Sequence, residues 1–212
     1  MDALILVDLQ YDFMPGGALA VPQGDDVVPL ANQLAARFEL VVASQDWHPP
    51  DHRSFASQHP GKKPGDVIEL EGLPQRLWPD HCVQHTRGAE LHHELDRSRI
   101  ERIFQKGADP AIDSYSAFYD NAHRRATGLG DYLKASGVTK AFLMGLATDY
   151  CVQFSSIDAL DLGFEVVVIR DGCRGIDANP GDIEKAIEQM SKKGGVLVDS
   201  RRLLAESKQA GG

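Results

Sequence analysis

The chain has 212 residues, of which 42% are hydrophobic and 25% are charged, and its formal net charge is -9. This composition is typical of a folded globular protein and excludes the collagen-like, disordered and disulfide-rich classes. The acidic balance also excludes a surface for nonspecific nucleic-acid binding, because such a surface needs clustered Lys and Arg.

Short apolar runs rich in Val, Ile and Leu alternate with segments of helical spacing. The runs are 3–9, 39–46, 99–107, 140–146, 165–172 and 194–200, and the helical segments lie near 26–37, 129–136, 150–162 and 180–193. Gly163 and Gly194 follow the last two helical segments as stop signals. The alternation predicts an α/β fold of right-handed crossovers, in which helices cover both faces of a parallel sheet.

One connection, from about 47 to 97, breaks this alternation. It is rich in Pro, His, Gly and Asp and is far longer than the usual link between two elements. Long segments in compact domains commonly carry function. Since no repeat or linker divides the chain, we predict a single domain over 1–212, with an insertion loop at about 47–97.

Ionisable residues lie at the carboxyl ends of the predicted strands. Asp8 ends the first strand, Asp46 the second and Lys106 the third, and the sequence GLATDYC follows the fourth. Because such ends line one crevice in a parallel sheet, these residues should converge. A single Asp or Lys at a strand end is more often a capping or solvated residue, so the prediction depends on their coincidence.

Cys151 lies at the start of the predicted helix 150–162, where it is either a buried apolar residue or a nucleophile. A helix N-terminus would lower the pKa of its thiol. Asp8 could then exchange a proton with the thiol while Lys106 stabilises negative charge. The backbone N–H groups of Ala147 and Cys151 could form an oxyanion hole. Such a set suits acyl transfer from an amide or an ester.

Candidate metal ligands are concentrated in the insertion loop. Asp46 and His48 project to one side of an extended segment, and His81 can complete a set of two histidines and one carboxylate. Three protein ligands leave positions open for water or substrate, as in a catalytic site. His52 is a fourth candidate ligand or a near neighbour. Scattered surface histidines are the alternative, and the spacing does not choose between zinc, manganese and ferrous iron.

The cysteines and the N-terminus bear on the compartment. Cys82, Cys151 and Cys173 are an odd, widely spaced set, so they predict no disulfide framework and a reducing, cytoplasmic location. The first apolar run is too short to span a membrane and lacks the basic flank of an export signal. We therefore expect neither a membrane nor a nucleic acid as partner.

Several long motifs extend over nearly the whole chain. They are LILVDLQYDFMPGGALAV, ASQDWHPPDHRSFASQHPG, LWPDHCVQHTRGAELHHEL, QKGADPAIDSYSAF and GLATDYCVQFSSIDALDLGFEVVVIRDGCRG. In these motifs the chain resembles the nicotinamidases of the isochorismatase-like hydrolase superfamily. The resemblance implies a single-domain, three-layer sandwich with a six-stranded parallel sheet. It also implies hydrolysis of nicotinamide to nicotinate and ammonia in NAD salvage, with one divalent metal ion, zinc in first place and iron or manganese as alternatives.

The same resemblance implies roles for individual residues. It matches the catalytic triad to Asp8, Lys106 and Cys151, and the metal ligands to Asp46, His48 and His81, with His52 nearby in some relatives. It matches the walls of an aromatic-ring site to Phe13, Trp78 and Tyr115, with Leu146 beside them. A cis peptide between Leu146 and Ala147 would aim the oxyanion donors. The implied substrates are nicotinamide and its analogue pyrazinamide, and homo-oligomerisation is left open.

Three other functions compete with this one. The first is another superfamily member, such as an isochorismatase or an N-carbamoyl amide hydrolase; isochorismatases typically lack the cysteine and other members usually lack the metal set. The second, a ferrous oxygenase, would leave Lys106 and Cys151 unused and tends to have a double-sheet β fold. The third is a non-catalytic metal-binding module, which release of ammonia from nicotinamide without oxygen would exclude.

Overall fold

A parallel sheet of six strands lies at the centre of the molecule in the computed structural model, which describes residues 1–206. In chain order the strands are β1 (Asp2–Val7), β2 (Leu40–Asp46), β3 (Val67–Leu70), β4 (Leu73–Arg76), β5 (Arg102–Lys106), β6 (Lys140–Leu146), β7 (Glu165–Arg174) and β8 (Val196–Val198). The central sheet has the order β5-β2-β1-β6-β7-β8, and β3 and β4 form a separate antiparallel hairpin. The predicted α/β fold with a six-stranded parallel sheet is confirmed.

Helices cover both faces of this sheet. They are α1 (Val27–Ala35), α2 (Leu129–Ala135), α3 (Gln153–Asp161), α4 (Asp182–Lys193) and α5 (Ser200–Glu206). The chain moves outward from the centre in opposite directions, from β1 through α1 to β2 and from β6 through α3 to β7. Right-handed crossovers in opposite directions place α1 and α3 on opposite faces. On these faces α1 contacts α5, and α3 contacts α4.

The central strands explain why the sequence forms this sheet. Residues 3–7 of β1 are at most 1% exposed, and all seven residues of β2 are buried. A strand covered on both faces is apolar along its whole length rather than at alternate positions. Polar side chains are therefore confined to the strand ends, where the candidate site begins.

Two elements differ from the sequence predictions. The predicted run 194–200 contains only the short strand β8, and Ser200 already begins the helix α5, where its N–H donates to Asp171 Oδ1 at 2.8 Å. The segment 47–97, predicted as a loop, contains the hairpin β3–β4. Glu71 and Gly72 form its two-residue turn with φ of 53° and 82°, a conformation that glycine adopts readily.

The single domain over 1–212 stays a prediction. Its last residues, 207–212, lie outside the described part of the chain. Over residues 1–206, no helix combines the length and apolar character needed to cross a membrane.

Candidate active site

The carboxyl ends of four strands meet in one crevice. Asp46 and Lys106 are the last residues of β2 and β5 and are partners in the sheet register. Asp8 directly follows β1, and Cys151 lies after β6 in a π-helical turn, Thr148–Val152, which continues into α3. The structure thus brings together the four residues that the strand ends predicted to converge.

Lys106 is the centre of this cluster. Its Nζ lies 3.0 Å from Asp8 Oδ2 and 3.5 Å from Cys151 Sγ. The same group donates to Asp46 Oδ1 at 2.7 Å and to the Ser114 carbonyl at 2.8 Å. Burial alone would lower the pKa of Lys106, but Asp46 and Asp8 raise that pKa well above its ordinary value. The side chain therefore remains an ammonium group.

Asp8 and Cys151 are placed to exchange a proton. A carboxylate oxygen of Asp8 lies within 4.8 Å of Cys151 Sγ. Asp8 Oδ1 accepts a hydrogen bond from Ser44 Oγ at 2.6 Å. Asp8 Oδ2 has no donor in hydrogen-bond geometry in the described part of the chain and contacts Lys106 as an ion pair. Burial raises the pKa of Asp8, although Lys106 opposes this shift. Asp8 is thus a stronger base than an exposed carboxylate.

The pKa of Cys151 differs from the sequence prediction. A helix N-terminus was expected to lower it, but burial raises the pKa of the thiol well above its ordinary value, with Lys106 opposing this shift and Asp8 adding to it. The side chain is only 6% exposed, so the cost of placing a thiolate there is large. Burial thus favours the protonated thiol, and forming a thiolate there would need a neighbouring base.

The predicted metal ligands form a second cluster beside the first. Asp46, His48 and His81 each offer one ligand atom within 4.8 Å of the other two. His48 Nδ1 pairs with the Gly107 carbonyl at 2.9 Å and His81 Nδ1 with the Pro79 carbonyl at 2.8 Å. Both rings thereby direct Nε2 toward Asp46 Oδ2, at 3.3 Å and 3.7 Å.

This donor set fits a divalent metal ion. His48 Nε2 is buried and has no hydrogen-bond partner among residues 1–206, which is costly unless another group binds it. Two imidazole nitrogens and a carboxylate are suitable ligands for such an ion, and backbone partners on Nδ1 commonly fix the rings of metal-binding histidines.

His52 lies next to these donors but in a different grouping. Its ring centroid is 4.4 Å from that of His48, and its Nδ1 pairs with Ser54 Oγ at 2.7 Å. It groups with His48 and Asp113 rather than with the predicted ligand set. Burial lowers the pKa of His52 to about 4, so the ring is neutral. Its direct binding to a metal stays a prediction.

Asp46 joins the two clusters. Its Oδ1 faces Lys106, whereas its Oδ2 faces the two histidines. Gln10, a residue that the sequence analysis missed, fixes its backbone, since Gln10 Nε2 donates to the Asp46 carbonyl and Gln10 Oε1 accepts from the Asp46 N–H, both at 2.8 Å. Burial would raise the pKa of Asp46, but Lys106 and His48 hold that pKa well below its ordinary value.

A narrow cavity opens onto both clusters. Its lining residues are Phe13, Leu19, Asp46, Trp78, His81, Asp113, Tyr115, Ala147, Tyr150, Cys151 and Ile176. Phe13, Trp78 and Tyr115 were predicted as its ring-binding walls. Leu146 was predicted beside them, but it is fully buried outside this lining, with its side chain directed toward Gly24.

Four of the lining residues were missed by the sequence analysis: Leu19, Asp113, Tyr150 and Ile176. Asp113 and Tyr150 lie within the quoted motifs, next to Tyr115 and Cys151, so their place in the sequence could have indicated them.

The Leu146–Ala147 peptide is cis, as the resemblance implies. The Ala147 carbonyl accepts hydrogen bonds from the N–H groups of Tyr150 and Val152, both at 3.1 Å, and these bonds hold the turn that carries Cys151. The oxyanion-hole role of the Ala147 and Cys151 N–H groups stays a prediction.

The chain is similar to known proteins over most of its length. The family model of the isochorismatase domain matches residues 2–202. The chain belongs to the isochorismatase family. Within this family, it is 53% identical to the nicotinamidase of Escherichia coli (strain K12), over 92% of this chain and 93% of that protein.

Solved structures of the isochorismatase family are also similar. The Acinetobacter baumanii nicotinamidase/pyrazinamidase has a TM-score of 0.93 at 46% identity, covering 95% of this chain and 97% of its own. The pyrazinamidase of Pyrococcus horikoshii, solved in complex with zinc, has a TM-score of 0.76 at 39% identity, covering 93% of this chain and 98% of its own. The zinc in that relative and the donor set in this chain together support a divalent metal ion.

Proposed function

We propose that this isochorismatase-family enzyme hydrolyses nicotinamide to nicotinate and ammonia through a cysteine thioester, as a step of NAD salvage. The observation that carries the proposal is the position of Lys106 Nζ, 3.0 Å from Asp8, 3.5 Å from Cys151 Sγ and 2.7 Å from Asp46. This one ammonium group connects a nucleophile and its base to the metal donors. Neither an oxygenase nor a metal-binding module would use that connection.

The cavity suits a flat heteroaromatic amide. The rings of Phe13, Trp78 and Tyr115 provide apolar walls, while Cys151 and the donors Asp46 and His81 also line it. Asp46, His48 and His81 would hold the divalent ion, which we propose to be zinc, with iron and manganese as alternatives. When bound, this ion supplies an open coordination position for a ring nitrogen.

The first half of the reaction releases ammonia. Cys151 Sγ attacks the carboxamide carbon as its proton passes to Asp8, and the backbone N–H groups of Ala147 and Cys151 stabilise the oxyanion. When the carbon–nitrogen bond breaks, Asp8 returns the proton to the departing nitrogen. A thioester on Cys151 remains, and Lys106 keeps Asp8 beside the sulfur throughout.

The second half restores the thiol. A water molecule attacks the thioester carbonyl while Asp8 accepts one of its protons. The carbon–sulfur bond then breaks, and the proton held by Asp8 returns to Cys151. The product leaves as nicotinic acid, whose carboxyl proton passes to the released ammonia to give nicotinate and ammonium, so one water molecule is consumed for each ammonia released.

Pyrazinamide is the second substrate that we propose, because it presents the same carboxamide on a flat ring of the same size. The compartment that we propose is the cytoplasm, since Cys82, Cys151 and Cys173 are all unpaired and a reducing compartment keeps them so.

An ammonia-release assay with nicotinamide tests the proposal. We expect the metal-loaded wild type to release ammonia and Cys151→Ala to lower kcat/KM by at least about 10³-fold, as for other lost nucleophiles. Cys173→Ala is the matched control, because this buried thiol donates to the Ile169 carbonyl, lies outside the cavity lining and should leave the rate unchanged. Full activity in Cys151→Ala would exclude the nucleophile, and a wild type that releases no ammonia would exclude the function.

A further inference from the structure

The hairpin β3–β4 places a buried glutamine against the wall of the active-site cavity. Gln75 of β4 is 4% exposed. Its Nε2 lies within hydrogen-bond distance of three acceptors, Tyr115 OH at 3.0 Å, Asp113 Oδ2 at 3.3 Å and the Arg76 carbonyl at 2.7 Å, which share its two N–H groups. One amide nitrogen thus ties the hairpin to two residues that line the cavity.

Tyr115 is held from two sides. Its hydroxyl also accepts a hydrogen bond from Trp78 Nε1 at 3.3 Å. The rings of Trp78 and Tyr115 lie edge to face, with an interplanar angle of 86° and a centroid separation of 6.4 Å. Gln75 and Trp78 therefore fix the position of the phenol oxygen, and with it the angle at which the Tyr115 ring faces the cavity.

Asp113 is the other partner of Gln75. Its carboxylate is 2% exposed, and Oδ1 accepts a hydrogen bond from the Ser114 N–H at 2.8 Å. The Ser114 carbonyl in turn accepts from Lys106. Gln75 thereby connects Tyr115, in the aromatic wall of the cavity, to Asp113 and through Ser114 to Lys106. Its own hydrogen bonds in the described part of the chain reach neither Cys151 nor Asp8.

We propose that Gln75 is a positioning residue for substrate binding, which holds Tyr115 and Asp113 in one rigid wall and so sets the fit for a flat aromatic amide. The identity of that amide rests on the proposed function. Tyr115 is the residue through which Gln75 reaches a bound ring, and Gln75 itself makes no hydrogen bond to the reacting sulfur, so we expect its loss to weaken ring binding more than it slows the chemical steps.

A double-mutant cycle on binding tests this role. The background is zinc-loaded protein with Cys151→Ala, which leaves nicotinamide uncleaved. In this background, calorimetry measures the Kd of nicotinamide for the protein without a further change, with Gln75→Leu, with Tyr115→Phe and with both changes together. Gln75→Leu removes the amide at similar volume and should weaken binding about 10-fold, the effect of about one well-made hydrogen bond. In the Tyr115→Phe background the loss should fall below about 3-fold, since the hydroxyl that transmits it is absent. The same fold loss in both backgrounds would overturn the proposal.

Steady-state kinetics with Cys151 present give a second readout. Gln75→Leu should raise KM while kcat stays within about twofold, because uniform binding is lost. Gln75→Met repeats the test with an unbranched side chain if the leucine variant does not fold. Gln84→Leu is the control, since the half-buried Gln84 also uses its Nε2 to donate to a backbone carbonyl, that of Trp47 at 2.9 Å, away from Tyr115. A lower kcat at unchanged KM would contradict the proposal.

The two proposals fail in different ways. The expected coupling in the Cys151→Ala variants, together with a wild type that releases no ammonia, would contradict the proposed function alone. A wild type that releases ammonia while Gln75→Leu and Gln75→Met leave both Kd and KM unchanged would contradict the role of Gln75 alone.

Discussion

The ammonium group of Lys106 lies between two carboxylates that would otherwise repel each other in a buried crevice. Asp8 and Asp46 are 0% and 4% exposed, and Asp113 adds a third buried carboxylate nearby. Buried charges are costly unless they are paired, and one ammonium group offsets only one of the two carboxylates that it contacts, Asp8 and Asp46. The remaining negative charge is compensated when a divalent cation binds Asp46. This charge balance is an electrostatic reason for the metal, in addition to the donor geometry.

Ser44→Ala tests Asp8 as the base. Ser44 Oγ donates to Asp8 Oδ1, and this bond stabilises the charged carboxylate and lowers its pKa. Its loss should raise the pKa of Asp8. Because the base must be unprotonated to act, the acidic limb of the kcat/KM profile should move to higher pH, while activity above the limb changes little.

A pH–rate profile for nicotinamide hydrolysis measures this shift. Ser57→Ala is the matched control, since Ser57 Oγ also donates to an aspartate oxygen, Asp80 Oδ1, at 2.6 Å, but at the exposed surface. The control should leave the limb in place. An acidic limb that stays fixed or moves to lower pH in Ser44→Ala would argue against Asp8 as the base.

The π-helical turn and the connection from β7 to α4 are joined by one carboxylate. Asp149 Oδ1 accepts from the Ile176 N–H at 2.9 Å, and Oδ2 accepts from the Asp177 N–H at 2.8 Å. A Cβ at Gly175 would lie 2.9 Å from Asp149 Oδ1 and 2.5 Å from Ile183, so this approach requires glycine. Since Ile176 lines the cavity, Asp149 connects the π-helical turn that carries Cys151 to another part of the cavity lining.

Asp149→Asn should weaken this link between elements. The amide offers one acceptor oxygen where two backbone N–H groups bind two carboxylate oxygens, so one of these partly buried hydrogen bonds to a charged group is lost. We expect the free energy of unfolding to fall by about 1–3 kcal/mol and KM for nicotinamide to rise. Denaturant unfolding and steady-state kinetics measure the two effects.

Asp199→Asn is the control for this change. Asp199 Oδ1 accepts from the Arg201 N–H at the exposed start of α5, a position where Asn and Asp cap a helix about equally well. Its unfolding free energy and KM should stay near those of the wild type. Equal losses in the two variants would mean that the link through Asp149 has no special role.

The strands that could be predicted from the sequence are those marked by a local run of apolar residues. Apolar runs located β1, β2, β5 and β6, and their parallel arrangement placed Asp8, Asp46 and Lys106 at one edge. The hairpin β3–β4 was missed because its alternation is short and includes Pro74, and the bonds of Asp149 join residues far apart in sequence. Local patterns carry no information on such contacts.

The pKa of the Cys151 thiol depends on the packing of the whole molecule as well as on the local sequence. A helix N-terminus is visible in the sequence and favours a thiolate, but the burial that opposes it comes from packing of the complete chain. Trp78 and Tyr115, which form the cavity with Cys151, belong to two different segments of the chain. The sequence therefore predicted which residues meet, but it did not predict the protonation state that results.

Metal binding should stabilise the whole fold, because the donors close a long segment of the chain. His48 follows β2 and His81 lies beyond the hairpin, and their Nε2 atoms meet at Asp46. An ion bound at 100 times its Kd adds about 2.7 kcal/mol to the free energy of unfolding. We therefore expect added zinc to raise the Tm of chelator-treated protein by roughly 5–10 °C, measured by thermal unfolding.

Two histidine variants decide whether this stabilisation comes from the predicted ligand set. His81→Ala removes one of three donors and should abolish most of the zinc-dependent rise in Tm. His59→Ala should keep the full rise, because His59 Nε2 pairs with the Arg53 carbonyl at 2.8 Å, outside the donor group. Both variants are compared with and without zinc, so a change in intrinsic stability cancels. A rise of equal size in the two variants would place the ion elsewhere and leave the buried Nε2 of His48 without its expected ligand.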